Sequence, residues 1–258
     1  MIRAAFFDID GTLLSFRTHR VSEGTVRAFE LLHRHGVRTF IASGRPMSLI
    51  PPMPVRFDGY CTMNGGYVFV DDQVLVRHAI PQDETDRWLR HCQQEHLSTM
   101  LFTEHEMYAC NVDAAAQQLR DQLEFEMPPI VPVDSLIGRE AFQLIAVVPP
   151  QADDELRQML PHCRMPRWCE YFTDVIHRDN SKAVGLDSLC RHFGIRQEET
   201  VAFGDGANDI EMLCWSGIGV AMGNASETVK AHADRVTTDV DTEGIWHAVE
   251  QMMTEGLI

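Results

Sequence analysis

Two aspartates one residue apart, Asp8 and Asp10, follow the apolar run Ala5-Phe6-Phe7 and lead straight into Gly11 and Thr12. Carboxylates this close repel and lose hydration on burial unless a cation or a shared proton relieves them. The pair therefore reads as a seat for a hard divalent ion, Mg²⁺ first, which takes a few carboxylate oxygens and keeps room for waters and a phosphate. The competing reading is a plain strand-to-turn corner, since Asp and Gly favour turns. A calcium loop is excluded. It needs glycine at its sixth position and glutamate at its twelfth, and counting from Asp8 those places hold Leu13 and His19.

Polar groups of the same kind recur where other apolar runs stop. The run 37–42 ends in Ser43-Gly44-Arg45, and the run 200–203 ends in Gly204-Asp205-Gly206-Ala207-Asn208-Asp209. A hydroxyl followed by backbone N–H groups at a strand end suits a phosphate oxygen, although a serine there also satisfies its own turn. Lys182 opens a helical pattern after Asn180-Ser181, a poor place for a cation beside the positive end of a helix dipole, which favours a functional role. A dinucleotide fingerprint fails because Gly204-Asp205-Gly206 continues as Ala-Asn-Asp, and no Gly-Lys-Ser/Thr phosphate loop is present. The coherent account is Mg²⁺-dependent phosphoryl transfer onto a carboxylate.

The elements that would hold these residues alternate. Ser22 is an N-cap candidate for a helix carrying Val26, Phe29, Leu31 and Leu32, ended by Gly36. A strand, a helix and a strand within about forty residues make a βαβ unit with parallel strands. A further strand at 58–63 and a hairpin at 67–77 follow, and Pro81 marks a change of texture. Residues 82–178 read as an inserted α+β module: helices at 83–96, 113–125 and 152–160, and strands at 99–103, 107–111, 142–148, 168–172 and 173–177. The first pattern resumes with helices at 182–193, 209–215, 226–233 and 244–253, and strands at 200–203, 218–221 and 235–236. The expected fold is a doubly wound, mainly parallel α/β sheet, Rossmann-like, with residues 1–81 and 179–258 as the core and 82–178 inserted.

Composition narrows the partners. The chain has 258 residues, 45% of them apolar, enough for a real core. A formal net charge of −16 argues against nucleic acid and anionic membrane surfaces as partners. It leaves room for a small anionic metabolite, because a metal and one lysine dominate the field locally. No run is long enough to span a membrane. Seven cysteines without Cys-x-x-Cys spacing point to a reducing compartment, and the cytoplasm is the expectation. Structural zinc is not expected: Cys190-x-His192 and His91-Cys92 with His96 lack a second matched pair. No obligate protein partner is evident.

Taken together, Asp8-Ile9-Asp10-Gly11-Thr12, Ser43-Gly44-Arg45, Lys182 and Gly204-Asp205-Gly206-Ala207-Asn208-Asp209 resemble the four motifs of the haloacid dehalogenase-like superfamily, in order. The insertion between the second and third motifs, with Asn64-Gly65-Gly66 before it, resembles the Cof-type phosphatases with a large α/β cap. The resemblance implies Asp8 as nucleophile forming an aspartyl-phosphate, and Asp10 as general acid and then base. It implies Mg²⁺ held by Asp8, the backbone carbonyl of Asp10 and Asp205, with Asp209 binding through water or pairing with Lys182. Ser43, Gly44, Lys182 and Asn208 would hold the phosphoryl oxygens, while Arg45 ties the second loop to the core. The implied activity is hydrolysis of small phosphomonoesters, sugar phosphates foremost. A phosphomutase shares every motif, and a non-catalytic phosphosugar sensor is the reading of another class. In the cap, Trp168, Glu170, Tyr171 and Phe172 either meet a sugar or pack the cap interior, the second being preferred.

Overall fold

The computed structural model describes residues 1–114, 116–117, 120, 127–167 and 170–258. β1 (Ala4–Phe7) is buried throughout, and α1 (Glu23–Arg34) starts at Ser22, whose hydroxyl accepts from the Thr25 amide. β2 (Arg38–Ala42), β3 (Gly59–Thr62), β4 (Tyr67–Val70) and β5 (Gln73–Arg77) complete the first stretch. The middle of the chain supplies α2 (Gln82–Glu95), β6 (Thr99–Phe102), β7 (Met107–Cys110), β8 (Gln143–Ala146), α3 (Asp153–Met159), β9 (Cys163–Arg164) and β10 (Thr173–His177). The last part adds α4 (Lys182–Phe193), β11 (Thr200–Gly204), α5 (Ile210–Trp215) and β12 (Ile218–Ala221). It closes with α6 (Glu227–Lys230), β13 (Arg235–Val236) and α7 (Gly244–Thr254).

Two compact units result, one of Met1–Arg45, Leu49–Arg77 and Ser181–Ile258, the other of Pro46–Ser48 and His78–Asn180. Among the described residues the first unit holds a sheet in the order β13-β12-β11-β1-β2-β3-β4-β5. β1 pairs in parallel with β2 on one side and β11 on the other, and β4 and β5 are added antiparallel at one edge. This is the doubly wound α/β architecture that the alternation of elements implies. The chain leaves β1 for β2 on one side, while β11 to β13 fill the other. The order therefore reverses between β1 and β11, and in open α/β sheets the crevice at such a reversal, beyond the carboxyl ends, takes the ligand.

Both faces of β1 are covered, which is why its sequence is uniformly apolar. Ala5 and Phe7 join a core with Phe29, Leu32 and Val249, while Ala4 and Phe6 join another with Leu186, Leu189, Met212 and Leu213. Phe7 stacks on Phe203 of β11 with ring centres 4.9 Å apart and planes 5° from parallel. That contact sits immediately below the two strand ends that carry Asp8 and Asp205.

The second unit is an antiparallel sheet, β7-β6-β8-β10-β9, over a core that includes Trp88, Leu89 and Cys92 of α2 with Leu101, Leu144 and Val175. Two readings of the sequence change, one in each unit. Most of the helix expected at 113–125 lies outside the described residues. Of the strand expected at 168–172, Trp168 and Cys169 lie outside them and 170–172 are not in a strand; β10 pairs instead with Cys163–Arg164. That pairing ends at Arg164, two residues before Pro166, which has no N–H to give. The helix expected at 226–233 shortens to the single turn of α6. Phe172 is buried and Tyr171 is 44% exposed, so the aromatic cluster divides between interior and surface. No helix among the described residues is long and apolar enough to cross a membrane.

Phe203→Ala removes one half of the stacked pair under the strand ends. It should cost about 3–5 kcal/mol of stability, read as a lower urea midpoint with an unchanged slope.

Candidate active site

Lys182 binds the site together. Its ammonium is buried and donates to Asp8 Oδ1 at 2.7 Å and to Asp209 Oδ1 at 2.5 Å. The helix it opens is capped by Ser181, whose hydroxyl accepts from the Val184 amide, so the backbone amides at that end are partly satisfied before the cation arrives. Asp8 continues β1 and is fixed by its own amide, which donates to the Phe203 carbonyl at 3.0 Å. Asp209 is fully buried, and its second oxygen accepts from the amides of Asp205 and Gly206 at 3.0 and 2.8 Å. With one oxygen on Lys182 and the other on the loop, Asp209 shapes the Asp205 loop and anchors the lysine.

Asp205 is held from two sides. Thr12 donates its hydroxyl to Oδ1 at 2.9 Å, and Asn224 donates to Oδ2 at 3.2 Å while also reaching the Gly11 carbonyl at 2.8 Å. Asn224 in turn accepts from the Val240 amide at 3.0 Å. Gly11, at φ +78°, is required for this closeness, since a Cβ there would lie 2.1 Å from Asp205 Oδ2.

The phosphate-side candidates sit on the next strand end. Phe7 is opposite Ile41, so Asp8 and Ser43 leave neighbouring strands at the same edge. Ser43 is buried, its hydroxyl accepts from the Arg45 amide at 3.1 Å, and its carbonyl accepts from the Asn64 amide at 3.0 Å. Asn208 donates to the Asn64 side chain at 3.2 Å, and a Cβ on Gly44 would sit 3.1 Å from that same amide group. Asn64 therefore joins the second and fourth loops. Asp10 is the exception to the convergence. Its carboxylate is gripped by both arms of Arg45, Nε at 2.8 Å and Nη2 at 2.7 Å, while Arg45 also donates to the Leu49 carbonyl.

Thr12, Asn64 and Asn224 were not among the residues assigned roles from sequence. Asn224 follows the apolar run 218–221 by the same strand-end logic that picks out Asp205, and that signal would have found it. Thr12 and Asn64 stand within quoted motifs, but only the fold shows whom they bind.

The electrostatics are unbalanced. One carboxylate oxygen from each of Asp8, Asp205 and Asp209 lies within 4.8 Å of the others. Three carboxylates against one ammonium leave two negative charges. Burial, then Asp209, push the Asp8 carboxyl well above the ordinary range despite Lys182. Burial and Asp209 likewise push Asp205 up to about 7, against the pull of Thr12. Burial works against the Lys182 ammonium, but Asp209 and Asp8 outweigh it and hold that group firmly charged. An all-oxygen donor set with an excess of two negative charges fits a hard divalent cation, and in its absence protons take up the excess.

A family profile described as haloacid dehalogenase-like hydrolase matches residues 5–249. The protein YkrA of Bacillus subtilis (strain 168) is 32% identical over 252 residues, covering 96% of each chain. A solved sugar phosphatase of subclass IIB of that superfamily is 38% identical and superposes with a TM-score of 0.88, over 99% of this chain and 100% of the other. A phosphatase of the same superfamily from Bacteroides thetaiotaomicron is 33% identical with a TM-score of 0.90, over 100% of this chain and 96% of the other.

Raised carboxylate pKa values mean that the native state holds protons more tightly than the unfolded chain. Chelator-treated protein should therefore lose stability as pH rises from the ordinary aspartate value of 3.8 toward about 7, and a divalent cation should restore it at the upper end. Melting temperatures measured across that range check this; in Asp205→Asn the slope should flatten and the cation effect shrink.

Proposed function

The chain belongs to the haloacid dehalogenase-like hydrolases, and from that membership we propose a Mg²⁺-dependent phosphatase of small phosphomonoesters, sugar phosphates foremost. The observation that carries this reading is the buried Asp8–Lys182–Asp209 bridge with Asp205 beside it at the sheet's switch point. The 38% identical sugar phosphatase supports the substrate class.

Asp8 is the nucleophile. Lys182 occupies Oδ1, and among the described residues nothing hydrogen-bonds Oδ2, so a lone pair is left for phosphorus. Attack forms the Asp8 O–P bond as the bond from phosphorus to the leaving alcohol breaks, giving an aspartyl-phosphate. Asp10 gives its proton to that alcohol oxygen, and later takes one from the water that attacks phosphorus and releases phosphate and free Asp8. In the Arg45 fork both Asp10 oxygens accept, so Asp10 must leave the fork and take up a proton from water before it can protonate the alcohol. Lys182, the Ser43 hydroxyl, the Gly44 amide and Asn208 hold phosphoryl oxygens. Asp8, Asp205 and the Asp10 carbonyl would hold Mg²⁺, with Asp209 supporting them through the loop amides. When bound, the cation neutralises charge between the nucleophile and the phosphate.

The partner on this reading is a small phosphorylated metabolite, not nucleic acid, given the −16 charge. Cysteine usage supports a cytoplasmic setting.

Phosphate release from an aryl phosphate and a panel of hexose phosphates, with Mg²⁺ and with chelator, tests the proposal. Activity should vanish with chelator and in Asp8→Asn, and fall about 10²–10⁴-fold in Asp10→Asn. Equal rates in wild type and Asp8→Asn would refute it, and isomerised hexose phosphate without free phosphate would make the protein a mutase.

A further inference from the structure

A second group of ligating side chains lies apart from the carboxylates, where the chain enters and leaves the second unit. The main segment of that unit runs from His78 to Asn180. One nitrogen each of His78 and His177 and one oxygen of Asp179 lie within 4.8 Å of one another. The two imidazole rings lie with centres 3.9 Å apart and planes tilted by 48°. His177 Nδ1 is 3.7 Å from Asp179 Oδ2. In a tetrahedral zinc site with bonds of about 2.0–2.1 Å, neighbouring ligand atoms stand about 3.4 Å apart, so small side-chain shifts suffice.

The neighbouring amide sets one ring ready for a metal. Asn180 is buried, and its Nδ2 donates to the His78 carbonyl at 3.0 Å. That bond fixes which end of the amide is oxygen. Oδ1, 2.8 Å from His78 Nδ1, must then accept from an Nδ1–H. The His78 proton is thus on Nδ1, and Nε2 keeps its lone pair. A hydrogen bond on the far nitrogen that fixes tautomer and ring direction is the arrangement metal-bound histidines use. On the second ring, the Asp179 amide donates to His177 Nδ1 at 3.2 Å, so that nitrogen is unprotonated, and an ion binding there takes the lone pair from this long bond. Asp179 is exposed, with 69% of its side chain accessible, which gives an ion a way in from solvent.

We propose that His78, His177 and Asp179 form a binding site for a zinc-like transition-metal cation that links the two segments by which the chain enters and leaves the second unit. Two imidazoles and one carboxylate favour zinc, cobalt, nickel or copper over Mg²⁺, the reverse of the carboxylate cluster around Asp205. Three protein ligands leave a coordination position for water or an exogenous group. The sequence gives little warning, because the two histidines are ninety-nine positions apart and neither stands in a metal-binding spacing.

The test is a Co²⁺ titration of the whole chain in a large excess of Mg²⁺, which loads the oxygen-donor cluster. Visible ligand-field bands should grow to one equivalent, Zn²⁺ should abolish them by displacement, and Zn²⁺ should raise the melting temperature. Asp179→Ala, an exposed change expected to leave the metal-free melting temperature alone, should weaken Co²⁺ about tenfold or more, and His177→Gln should remove the bands. Absence of bands in the wild type overturns the assignment. So do bands of unchanged strength and affinity in both variants, since the cation would then sit on Asp8, Asp205 and Asp209.

Discussion

A single buried ammonium governs the first unit. Lys182 sits between Asp8 and Asp209 with almost no access to water, and a lone ion taken into such surroundings would be costly. Its two partners come from the ends of different strands, so the bridge forms only when β1, β11 and the start of α4 are all in place. The charge count then does the rest. One lysine cannot balance three carboxylates, and the remainder is left for a dication to answer. The burial of the cluster and the cation-binding role proposed for it thus have one origin.

Keeping the cluster this tight places demands on backbone as well as side chains. Gly11 allows the first loop to lie against Asp205. Gly65, at φ +88°, does the same on the other side, since a Cβ there would lie 2.1 Å from the Ser181 carbonyl just before Lys182. Both contacts bring loops from distant parts of the chain against one another. Side chains at either position would disturb the packing whose burial, and then the nearness of Asp209, raises the Asp8 and Asp205 carboxyls. Backbone permissiveness and perturbed acidity are therefore linked.

How much of this could be read from sequence depends on how local the cause was. Asp8, Ser43 and Asp205 each stop an apolar strand, and a residue directly after a strand has its edge decided by the strand itself. Lys182 was legible because a cation is out of place at a helix start. That Arg45 ties the second loop to the core was legible, but not that its partner is Asp10, thirty-five positions away. Asn224 was missed although it follows a strand, because an asparagine after Gly223 looks like ordinary turn chemistry. In the second unit the pairing of β10 failed for a similar reason. Alternating aromatic residues at 168–172 suggest a strand, yet two residues before a proline won the ladder, which only the tertiary register decides.

The two candidate cation clusters show why donor chemistry informs more than residue counts. Around Asp205 the donors are hard oxygens carrying excess charge, so the attraction is electrostatic and protons compete for the same atoms. Around His177 the candidate donors are ring nitrogens, one ring oriented by its hydrogen bond to a buried asparagine and the other by a backbone amide, so selectivity there would rest on softness and direction. Mg²⁺, which dehydrates reluctantly and prefers oxygen, has every reason to choose the first and none to choose the second. On these two proposals, the donor types would sort Mg²⁺ and a zinc-like ion between two sites in one solution, with excess Mg²⁺ needed to hold the oxygen cluster.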